Sequence, residues 1–391
     1  MEAERKIKKE NKMKKLGFGL MRLPVHFKLP TFINLGMVKK MTDHFIDNGF
    51  VYFDTAYMYH LSKSESTVRI ALVDRHKRED FILADKLPLM APFIRNKEQQ
   101  ETIFEKQLAK CGVEYFDYYL IHSLTAKSYK LAKELDTFSF VQQKKTEGKI
   151  KHVGFSFHDN AEVLDLILSE HPEVEFVQLQ INYLDWDSPR VQSRKCYEVA
   201  VKHGKPVIVM EPVKGGTLAK LPADAEKLLK DYNPNASIAS WAIRFAASLD
   251  NVMVVLSGMS NFEQIQDNTN FMRNFEPLNE KERAIIAKVV GIINGAITVP
   301  CTTCGYCVAG CPKKIPIPQF FTLYNKAMQN PNKPNAYSSS YKKLANKYCS
   351  AADCIECGKC ESSCPQHLSI IKYLKDVSKH FDLKENKIDN K

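Results

Sequence analysis

Short apolar runs alternate with amphipathic stretches from Leu16 to Asn294. Each run holds about four to seven residues, rich in β-branched and aromatic side chains, which is typical of strands buried on both faces. The pattern predicts eight strands, at Leu16–Met21, Phe50–Asp54, Phe81–Asp85, Phe116–Ile121, Lys151–Ser156, Phe176–Gln180, Pro206–Met210 and Val252–Leu256.

The stretches between these runs repeat their apolar residues at helical spacing. Helices are predicted at Val38–Asn48, Lys97–Cys111, Ser237–Leu249 and Glu280–Ile293, and a further one at Pro318–Gln329. Eight strand–helix units over about 280 residues predict a (β/α)8 barrel. A doubly wound open sheet is the structural alternative, although no G-x-G-x-x-G motif follows the first strand.

Polar side chains follow three consecutive predicted strands, where a parallel barrel carries its functional residues. Asp54 ends the second strand and Tyr59 follows it, Lys86 follows the third, and His122 follows the fourth. A carboxylate, a phenol, an ammonium and an imidazole are therefore expected to meet in one mouth. Taken singly, Asp54 and Lys86 also fit a structural ion pair, and Tyr59 and His122 fit satisfied core side chains.

Two cysteine runs of identical spacing occupy the last quarter of the chain: Cys301-x2-Cys304-x2-Cys307-x3-Cys311-Pro312 and Cys354-x2-Cys357-x2-Cys360-x3-Cys364-Pro365. This is the bacterial ferredoxin spacing, in which the fourth cysteine of each run ligates the other run's cluster. It predicts one [4Fe–4S] cluster on Cys301, Cys304, Cys307 and Cys364, and a second on Cys354, Cys357, Cys360 and Cys311.

Other uses of the cysteines fit the spacing less well. A zinc ribbon separates its C-x2-C pairs by ~15–20 residues, and a disulfide framework is typical of small secreted chains. Zinc, or a degenerate module without clusters, remains an alternative. Cys111, Cys196 and Cys349 stand alone and are expected to be packed or incidental thiols.

The chain carries a net charge of +11, but its lysines are spread out and no nucleic-acid motif accompanies them. A solvated basic surface is favoured, and docking of an acidic redox partner is the alternative. No signal-peptide core and no apolar window of ~18 residues is visible, which predicts a cytoplasmic protein without a membrane span. We expect a basic tail at 1–15, a barrel at 16–298, a cluster domain at 299–376 and a charged tail at 377–391.

Four motifs of the chain resemble those of one protein family in their order and spacing. They are Phe53-Asp54-Thr55-Ala56-x-x-Tyr59, Lys86, Leu120-Ile121-His122, and Gly148-Lys149-Ile150-x-x-Val153-Gly154-Phe155-Ser156. They resemble the aldo-keto reductases over roughly residues 16–294. The whole chain is similar to the branch whose barrel is followed by a ferredoxin-type module.

The resemblance implies that a nicotinamide delivers hydride to a carbonyl carbon while Tyr59 protonates the oxygen. A nearby ammonium from Lys86 would stabilise the phenolate and lower its pKa. Asp54 would hold Lys86 and balance its charge, and His122 would orient the carbonyl oxygen and share its developing charge.

The same resemblance implies a cofactor pocket with departures from the family pattern. Ser156 and Gln178 match residues that bind the nicotinamide amide, but Phe157 replaces the expected asparagine. Met210 replaces the aromatic residue that stacks on the nicotinamide, and its thioether can pack against an aromatic face. The segment Lys214-Gly215-Gly216 offers backbone amides to the pyrophosphate.

The adenosine end of the cofactor is expected after the eighth strand. Family members selective for NADPH carry Lys and Arg where this chain has Gly258 and Gln264, and a 2′-phosphate needs such cations. Asp267 and Asn268 keep the acid–amide pair on the adenine side. A nicotinamide cofactor is predicted, with NADH and NADPH not distinguished.

Three functions follow. The leading one is a reductase of a small aldehyde or ketone, whose clusters are auxiliary or connect it to a ferredoxin or flavodoxin-like carrier. The second is an electron-transfer protein that links a barrel-bound cofactor to a ferredoxin-like partner. The third is a cluster-stabilised redox-sensing or interaction module. A hydride carries two electrons while each cluster exchanges one, a mismatch that a flavin could bridge, but no flavin signature stands out.

Overall fold

The computed structural model describes residues 13–382 except residues 28, 91–92, 297 and 329–336. The expected tails at 1–15 and 377–391 lie largely outside the described residues, as does the last residue of the helix expected at Pro318–Gln329. None of the described helices combines the length and apolar character needed to cross a membrane.

Eight parallel strands close into a barrel in sequence order. Closure occurs where β1 pairs with both β2 and β8, with Gly17 opposite Tyr52 and Leu256. The (β/α)8 prediction is confirmed and the open sheet is excluded. The strands are β1 Leu16–Gly19, β2 Tyr52–Asp54, β3 Ile82–Leu87, β4 Phe116–Leu124, β5 Ile150–Phe157, β6 Phe176–Gln180, β7 Val207–Met210 and β8 Val252–Gly258.

Large side chains fill the floor of the barrel, among them Tyr52, Tyr118 and Phe176. They leave no room at two strand positions. A Cβ on Gly17 would lie 2.7 Å from Leu256, and one on Gly154 would lie 2.6 Å from Phe176. Packing thus closes the floor, and the C-terminal strand ends are where a parallel barrel carries its functional residues.

Helices follow the strands in alternation. They are α1 Leu35–Asp47, α2 Ser64–Val68, α3 Lys97–Cys111, α4 Ala126–Glu134, α5 Thr137–Thr146, α6 Ala161–Glu170, α7 Ser193–Lys202, α8 Ala223–Tyr232, α9 Ile238–Ala247, α10 Phe262–Arg273, α11 Glu280–Ala296, α12 Tyr306–Ala309, α13 Ile317–Met328, α14 Ser338–Lys347, α15 Lys359–Ser362 and α16 Ile370–Phe381. Each predicted helix is present within three residues of its expected ends.

The chain forms two compact units. Of the described residues, the first unit contains the strands, with those up to 213 and 239–280, and the second contains 214–238 and those from 281 onward. Residues 214–238 and 281–298, assigned to the barrel from sequence, thus group with the cysteine-rich unit. The expected end of the cluster domain at residue 376 falls inside α16, because Val377 and Phe381 continue that helix's buried stripe.

The second unit has an aromatic core of its own. Tyr341 of α14 stacks on Phe381 of α16 at 4.7 Å between ring centroids and lies 4.6 Å from Phe320 of α13. Its hydroxyl donates to Asp382 and accepts from the backbone amide of Ala351. The segment between the two cysteine runs therefore contributes packed helices as well as a connection.

Candidate active site and cluster cavities

Strand alternation explains how the functional residues reach the barrel interior. Side chains two residues apart on a strand face the same way. The residues of one polar layer therefore each follow a floor position by two: Asp54 after Tyr52, Lys86 after Ala84, His122 after Leu120, Ser156 after Gly154, and Gln178 after Phe176.

Lys86 and Asp54 form a buried ion pair at the centre of this layer. Lys86 Nζ donates to Asp54 Oδ1 at 2.5 Å and to the backbone oxygen of Thr55 at 2.7 Å. Gln178 Nε2 donates to the other carboxylate oxygen of Asp54 at 3.2 Å. Burial raises the pKa of Asp54, and its bonds to Lys86 and Gln178 oppose this. The carboxylate thus fixes the ammonium by direct contact.

Tyr59 lies beside this pair, with its hydroxyl oxygen 3.5 Å from Lys86 Nζ. Burial raises the pKa of Tyr59 well above its usual value, and the negative charges of Asp54, Asp85 and Glu211 add to the rise. The lowering of the pKa expected from Lys86 does not prevail over this burial and these negative charges. Tyr59 is therefore a protonated phenol, the form that can donate a proton.

His122 completes the predicted group of four. Its ring centroid lies 6.2 Å from that of Tyr59, at an angle of 80° between the planes. Burial lowers the pKa of His122 well below its usual value, and the charges of Lys86 and His158 act in the same direction. Among the described residues, buried His122 Nδ1 has no hydrogen-bond partner. A neutral imidazole is thus placed to bind a ligand.

A second layer, which sequence analysis missed, fixes the backbone of Lys86. Asp85 Oδ1 accepts from the Lys86 amide at 2.8 Å, and Gln107 Nε2 donates to the Lys86 carbonyl at 3.0 Å. The Tyr119 hydroxyl in turn donates to Gln107 Oε1 at 2.6 Å. Asp85 also accepts from the thiol of Cys111, which is buried as predicted. The available signal was a carboxylate on the helix-facing side of β3, where alternation leads one to expect an apolar residue.

Three predicted nicotinamide residues stand at the ends of β5, β6 and β7. Ser156 Oγ accepts from the amide of Ser123, which has a positive φ of 61° in an irregular part of β4. Gln178 uses its Nε2 toward Asp54, so its Oε1 is the atom that can accept from a carboxamide. Met210 is half-buried at the last position of β7.

The predicted adenosine residues lie at the end of β8 and in α10. Gly258 and Gln264 are exposed, and Gln264 Oε1 accepts from the amide of Ser260 at 2.7 Å. Asp267 is partly buried, whereas Asn268 is buried and donates from Nδ2 to Ser257 Oγ at 2.7 Å. The side chain of Asn268 therefore fixes the end of β8.

Arg22 is a residue of this region that sequence analysis missed. It lies in the short helix Leu20–Arg22 that follows β1. A Cβ placed on Gly258 would meet Arg22 Cβ and Cδ at 3.4 Å. Because β1 pairs with β8 only when the barrel closes, this cation is far from Gly258 along the chain and adjacent to it in the fold.

Lys214 lies at a tight turn that opens the second unit. Its φ is 47°, and Gly215 and Gly216 follow with φ of 64° and 99°. The Lys214 side chain is buried and donates from Nζ to Gln366 Oε1 at 2.9 Å. Its backbone amide remains the group proposed for the pyrophosphate, while its ammonium contacts a residue of the cysteine-rich unit.

Two cavities of the second unit are each lined by four cysteines. The first, cavity 1, has about 310 Å³ of empty volume including its mouth, and its thiols are Cys301, Cys304, Cys307 and Cys364. Cavity 2 has about 320 Å³, and its thiols are Cys354, Cys357, Cys360 and Cys311. The fourth cysteine of each run thus lines the cavity of the other run, in the predicted grouping.

The walls of both cavities suit an iron–sulfur cluster. Phe321 and Leu368 line cavity 1, and Ile317 and Leu374 line cavity 2, so the thiols are held among apolar side chains. Burial raises the pKa of Cys307 to about 12, so metal binding must displace its proton. No three His, Cys, Asp or Glu side chains of the described part of the chain are grouped closely enough to hold a single metal ion.

A closed barrel with a buried polar layer and a unit with two four-thiol cavities fit an oxidoreductase with an iron–sulfur domain. A family model described as the aldo/keto reductase family matches residues 15–290, and one described as a 4Fe-4S dicluster domain matches residues 300–369. The chain belongs to the aldo/keto reductase family and carries a C-terminal 4Fe–4S dicluster domain.

Known proteins are similar to this chain in sequence or in fold. The uncharacterized oxidoreductase YqkF of Bacillus subtilis (strain 168) is 22% identical over 269 residues, which are 61% of this chain and 83% of YqkF. The aldo-keto reductase AKR11C1 from Bacillus halodurans, in its holo form, has a TM-score of 0.56 at 24% identity and covers 70% of this chain and 91% of its own. An aldo/keto reductase from Klebsiella pneumoniae in complex with NADP and acetate has a TM-score of 0.58 at 17% identity. It covers 71% of this chain and 92% of its own. At these identities the two structures establish the fold.

Proposed function

We propose that this protein reduces an aldehyde or ketone with a hydride from a nicotinamide cofactor bound at the barrel mouth. The observation that carries the proposal is the contact of Lys86 Nζ with both Asp54 Oδ1, at 2.5 Å, and the Tyr59 hydroxyl, at 3.5 Å. An ion pair alone would not need a phenol beside it. A protonated phenol next to a fixed ammonium is an acid whose conjugate base is stabilised.

In the proposed reaction each residue of the group of four has a separate role at or near the carbonyl oxygen. A bound nicotinamide would supply the hydride. Tyr59 gives its proton to the oxygen, and Lys86 stabilises the phenolate that remains. Neutral His122 donates a hydrogen bond to the same oxygen and stabilises its growing negative charge. Asp54 keeps Lys86 in place, and the second layer around Asp85 and Gln107 holds the backbone of Lys86.

The predicted pocket residues fit a nicotinamide. The Ser156 hydroxyl accepts from Ser123 and still has a hydrogen to donate, and Gln178 can accept through Oε1. Met210 is half-buried, and its thioether would pack against the face of a nicotinamide ring. Arg22 beside Gly258 adds a cation at the adenosine end, which favours binding of a phosphate group there. Both NADH and NADPH carry phosphates, so kinetics with each cofactor must decide which of them the protein uses.

In the proposed function, the second unit holds a [4Fe–4S] cluster in each cavity and exchanges single electrons with a carrier of the ferredoxin or flavodoxin type. Cys357 and Ile355 line cavity 2, and Cys357 is exposed while Ile355 is 56% exposed. This exposure supports electron transfer between an external carrier and a cluster in cavity 2. The same observation favours a second candidate function, electron transfer between a barrel-bound cofactor and such a carrier without reduction of a carbonyl.

Turnover by anaerobically purified, cluster-loaded protein tests the proposal. Carbonyl-dependent oxidation of NADH or NADPH is expected, with a loss of about 10²-fold or more in kcat for Tyr59→Phe. Tyr57→Phe, a nearby change of the same chemistry, should stay within about twofold of the wild type because Tyr57 packs on Phe93. Near-normal turnover by Tyr59→Phe would refute the assignment. Bleaching of the clusters by reduced nicotinamide without carbonyl turnover would favour the second function.

A further inference from the structure

The two cysteine runs are structural repeats down to individual backbone angles. Left-handed backbone occurs at the same three positions of each run: Thr303 and Glu356 (both φ 55°), Gly305 and Gly358 (φ 84° and 72°), and Lys314 and His367 (φ 51° and 48°). Non-glycine residues seldom adopt such angles, so the match reflects one local fold used twice. It also defines which residues of the two runs are equivalent.

The residue two positions after the fourth cysteine differs between the runs. In the first run it is Lys313, which lines cavity 2, and in the second run it is Gln366, which lines cavity 1. Cavity 2 therefore has a lysine at its wall, and cavity 1 has a neutral amide at the equivalent place. Lys313 is exposed, so water and salt screen its charge.

Cavity 1 nevertheless has a cation, supplied from a distant part of the chain. Lys214 Nζ donates to Gln366 Oε1 at 2.9 Å, and the two residues are 1% and 2% exposed. A buried charge acts through a lower effective dielectric than an exposed one. Three consecutive left-handed residues, Lys214 to Gly216, form the turn that carries this side chain.

Lys214 is linked to cavity 1 through one residue of its wall. The Lys214 ammonium donates to Gln366 Oε1, and Gln366 lines the cavity. Cys301 and Gln366 line the same cavity. The ammonium is therefore close enough to distinguish between charge states of a cluster held there.

We propose that Lys214 raises the reduction potential of the cluster held by Cys301, Cys304, Cys307 and Cys364. In this step the oxidised [4Fe–4S]2+ core takes one electron from a one-electron donor and becomes [4Fe–4S]+, with no bond formed or broken. The thiolate-ligated cluster gains one negative charge, which the buried ammonium stabilises. Electrons that enter at the exposed cavity 2 would accordingly settle on the cluster of cavity 1.

The inference rests on the two-cluster part of the proposed function and not on carbonyl reduction. Iron and sulfide analysis of the full chain tests the clusters themselves. The potentials are then measured by protein-film voltammetry and by EPR-monitored titration with dithionite, in the absence of nicotinamide and carbonyl. These readouts report the cluster environment rather than enzyme activity.

Lys214→Met should move one of the two one-electron waves to lower potential. At the wild-type midpoint, the ratio of reduced to oxidised cluster should fall about tenfold, which corresponds to 59 mV for a one-electron couple. Lys214→Arg keeps the charge and should keep the potential. Gln366→Glu adds a negative charge to the same cavity and should move the same wave in the same direction. Lys313→Met, the control at the equivalent exposed wall, should leave that wave in place.

An unchanged pair of waves in Lys214→Met with full iron and sulfide content would overturn the proposal. So would equal movement of both waves, or a Lys214→Arg variant that behaves like Lys214→Met. If Lys214→Met does not retain its clusters, Gln366→Glu decides the matter, because an unmoved wave in that variant contradicts a charge effect in cavity 1.

Discussion

Gln178 donates a hydrogen bond from Nε2 to Asp54 Oδ2 at 3.2 Å, across the interior of the barrel. The bond joins a residue of the proposed cofactor pocket to the carboxylate that holds Lys86. Asp54 thus receives one donor on each oxygen, Lys86 on Oδ1 and Gln178 on Oδ2. The proposed acid–base group and the proposed nicotinamide site share this carboxylate, so changes at either one should affect the other.

Asp54→Asn tests the ion pair. Removal of the negative charge leaves the Lys86 ammonium buried without its counter-ion, which should cost about 3 kcal/mol of unfolding free energy. It should also lower kcat, because Lys86 is no longer fixed beside Tyr59. Denaturant unfolding and steady-state kinetics measure the two effects.

Asp187→Asn is the matched control for this change. Asp187 pairs with Arg194 on the surface, where its side chain is 71% exposed. Such exposed pairs contribute about 0–1 kcal/mol. Equal losses of stability in the two variants would contradict the role given to the buried pair.

The low pKa of His122 predicts a pH dependence of stability. The folded protein disfavours the protonated imidazole, so the unfolded chain binds more protons between the folded pKa and an unfolded value of about 6.5. Stability should therefore be fully present above pH ~6.5 and fall as the pH is lowered below it. Burial is the main cause of the low pKa of His122, and the charges of Lys86 and His158 add to it, while Tyr59 lies edge-on to the ring.

His122→Asn should flatten that decline by up to about 1.4 kcal/mol per pH unit. A residual slope is expected, because burial also lowers the pKa of His44 and His60. Denaturant unfolding at several pH values between 5 and 8 gives the comparison. An unchanged slope in His122→Asn would show that His122 is not held neutral by burial.

Arg22→Met tests the cation beside Gly258. Loss of a charge-assisted hydrogen bond to a phosphate is worth about 1.5–3 kcal/mol, or roughly 10–100-fold in the KM for the cofactor. If Arg22 meets the 2′-phosphate, the KM for NADPH rises and that for NADH stays within about threefold. If it meets the pyrophosphate, both rise.

Arg69→Met serves as the control for Arg22→Met, because Arg69 is exposed and pairs with Asp74 on the surface. Steady-state kinetics with each cofactor suffices for both variants. Unchanged KM values for both cofactors in Arg22→Met would remove Arg22 from the cofactor site.

Cys311→Ser tests whether the fourth cysteine of each run ligates the cluster of the other run. Cys311 lies in the first run but lines cavity 2. Its replacement should therefore abolish the same EPR signal as Cys360→Ser, whereas Cys307→Ser abolishes the other signal. Cys349→Ser should leave both signals intact, because Cys349 packs against the core of the second unit and lines neither cavity. Loss of one signal in both Cys311→Ser and Cys307→Ser would indicate ligation within each run.

The strands and the polar layer were predictable because they depend on local rules. Asp54 stands two residues after Tyr52, and Lys86 two residues after Ala84, so strand alternation predicts that each shares a strand face with its floor residue. The bond between Gln178 and Asp54 was not predictable, since it joins residues 124 positions apart. Arg22 meets Gly258 only once the barrel closes, and Lys214 reaches Gln366 only because residues 214–238 group with the second unit. Such contacts need the fold as well as the pattern.

Transfer of a label from the cofactor tests whether hydride passes directly to the carbonyl carbon. Cluster-loaded protein is given reduced nicotinamide with both C4 hydrogens replaced by deuterium, together with a carbonyl substrate in ordinary water. The alcohol is analysed by mass spectrometry and NMR. We expect deuterium on the carbinol carbon, because the hydride passes directly while Tyr59 supplies the proton on oxygen. An alcohol whose new C–H hydrogen comes from solvent would contradict direct transfer, since the cofactor's hydride would then not be the hydrogen that reaches the carbonyl carbon.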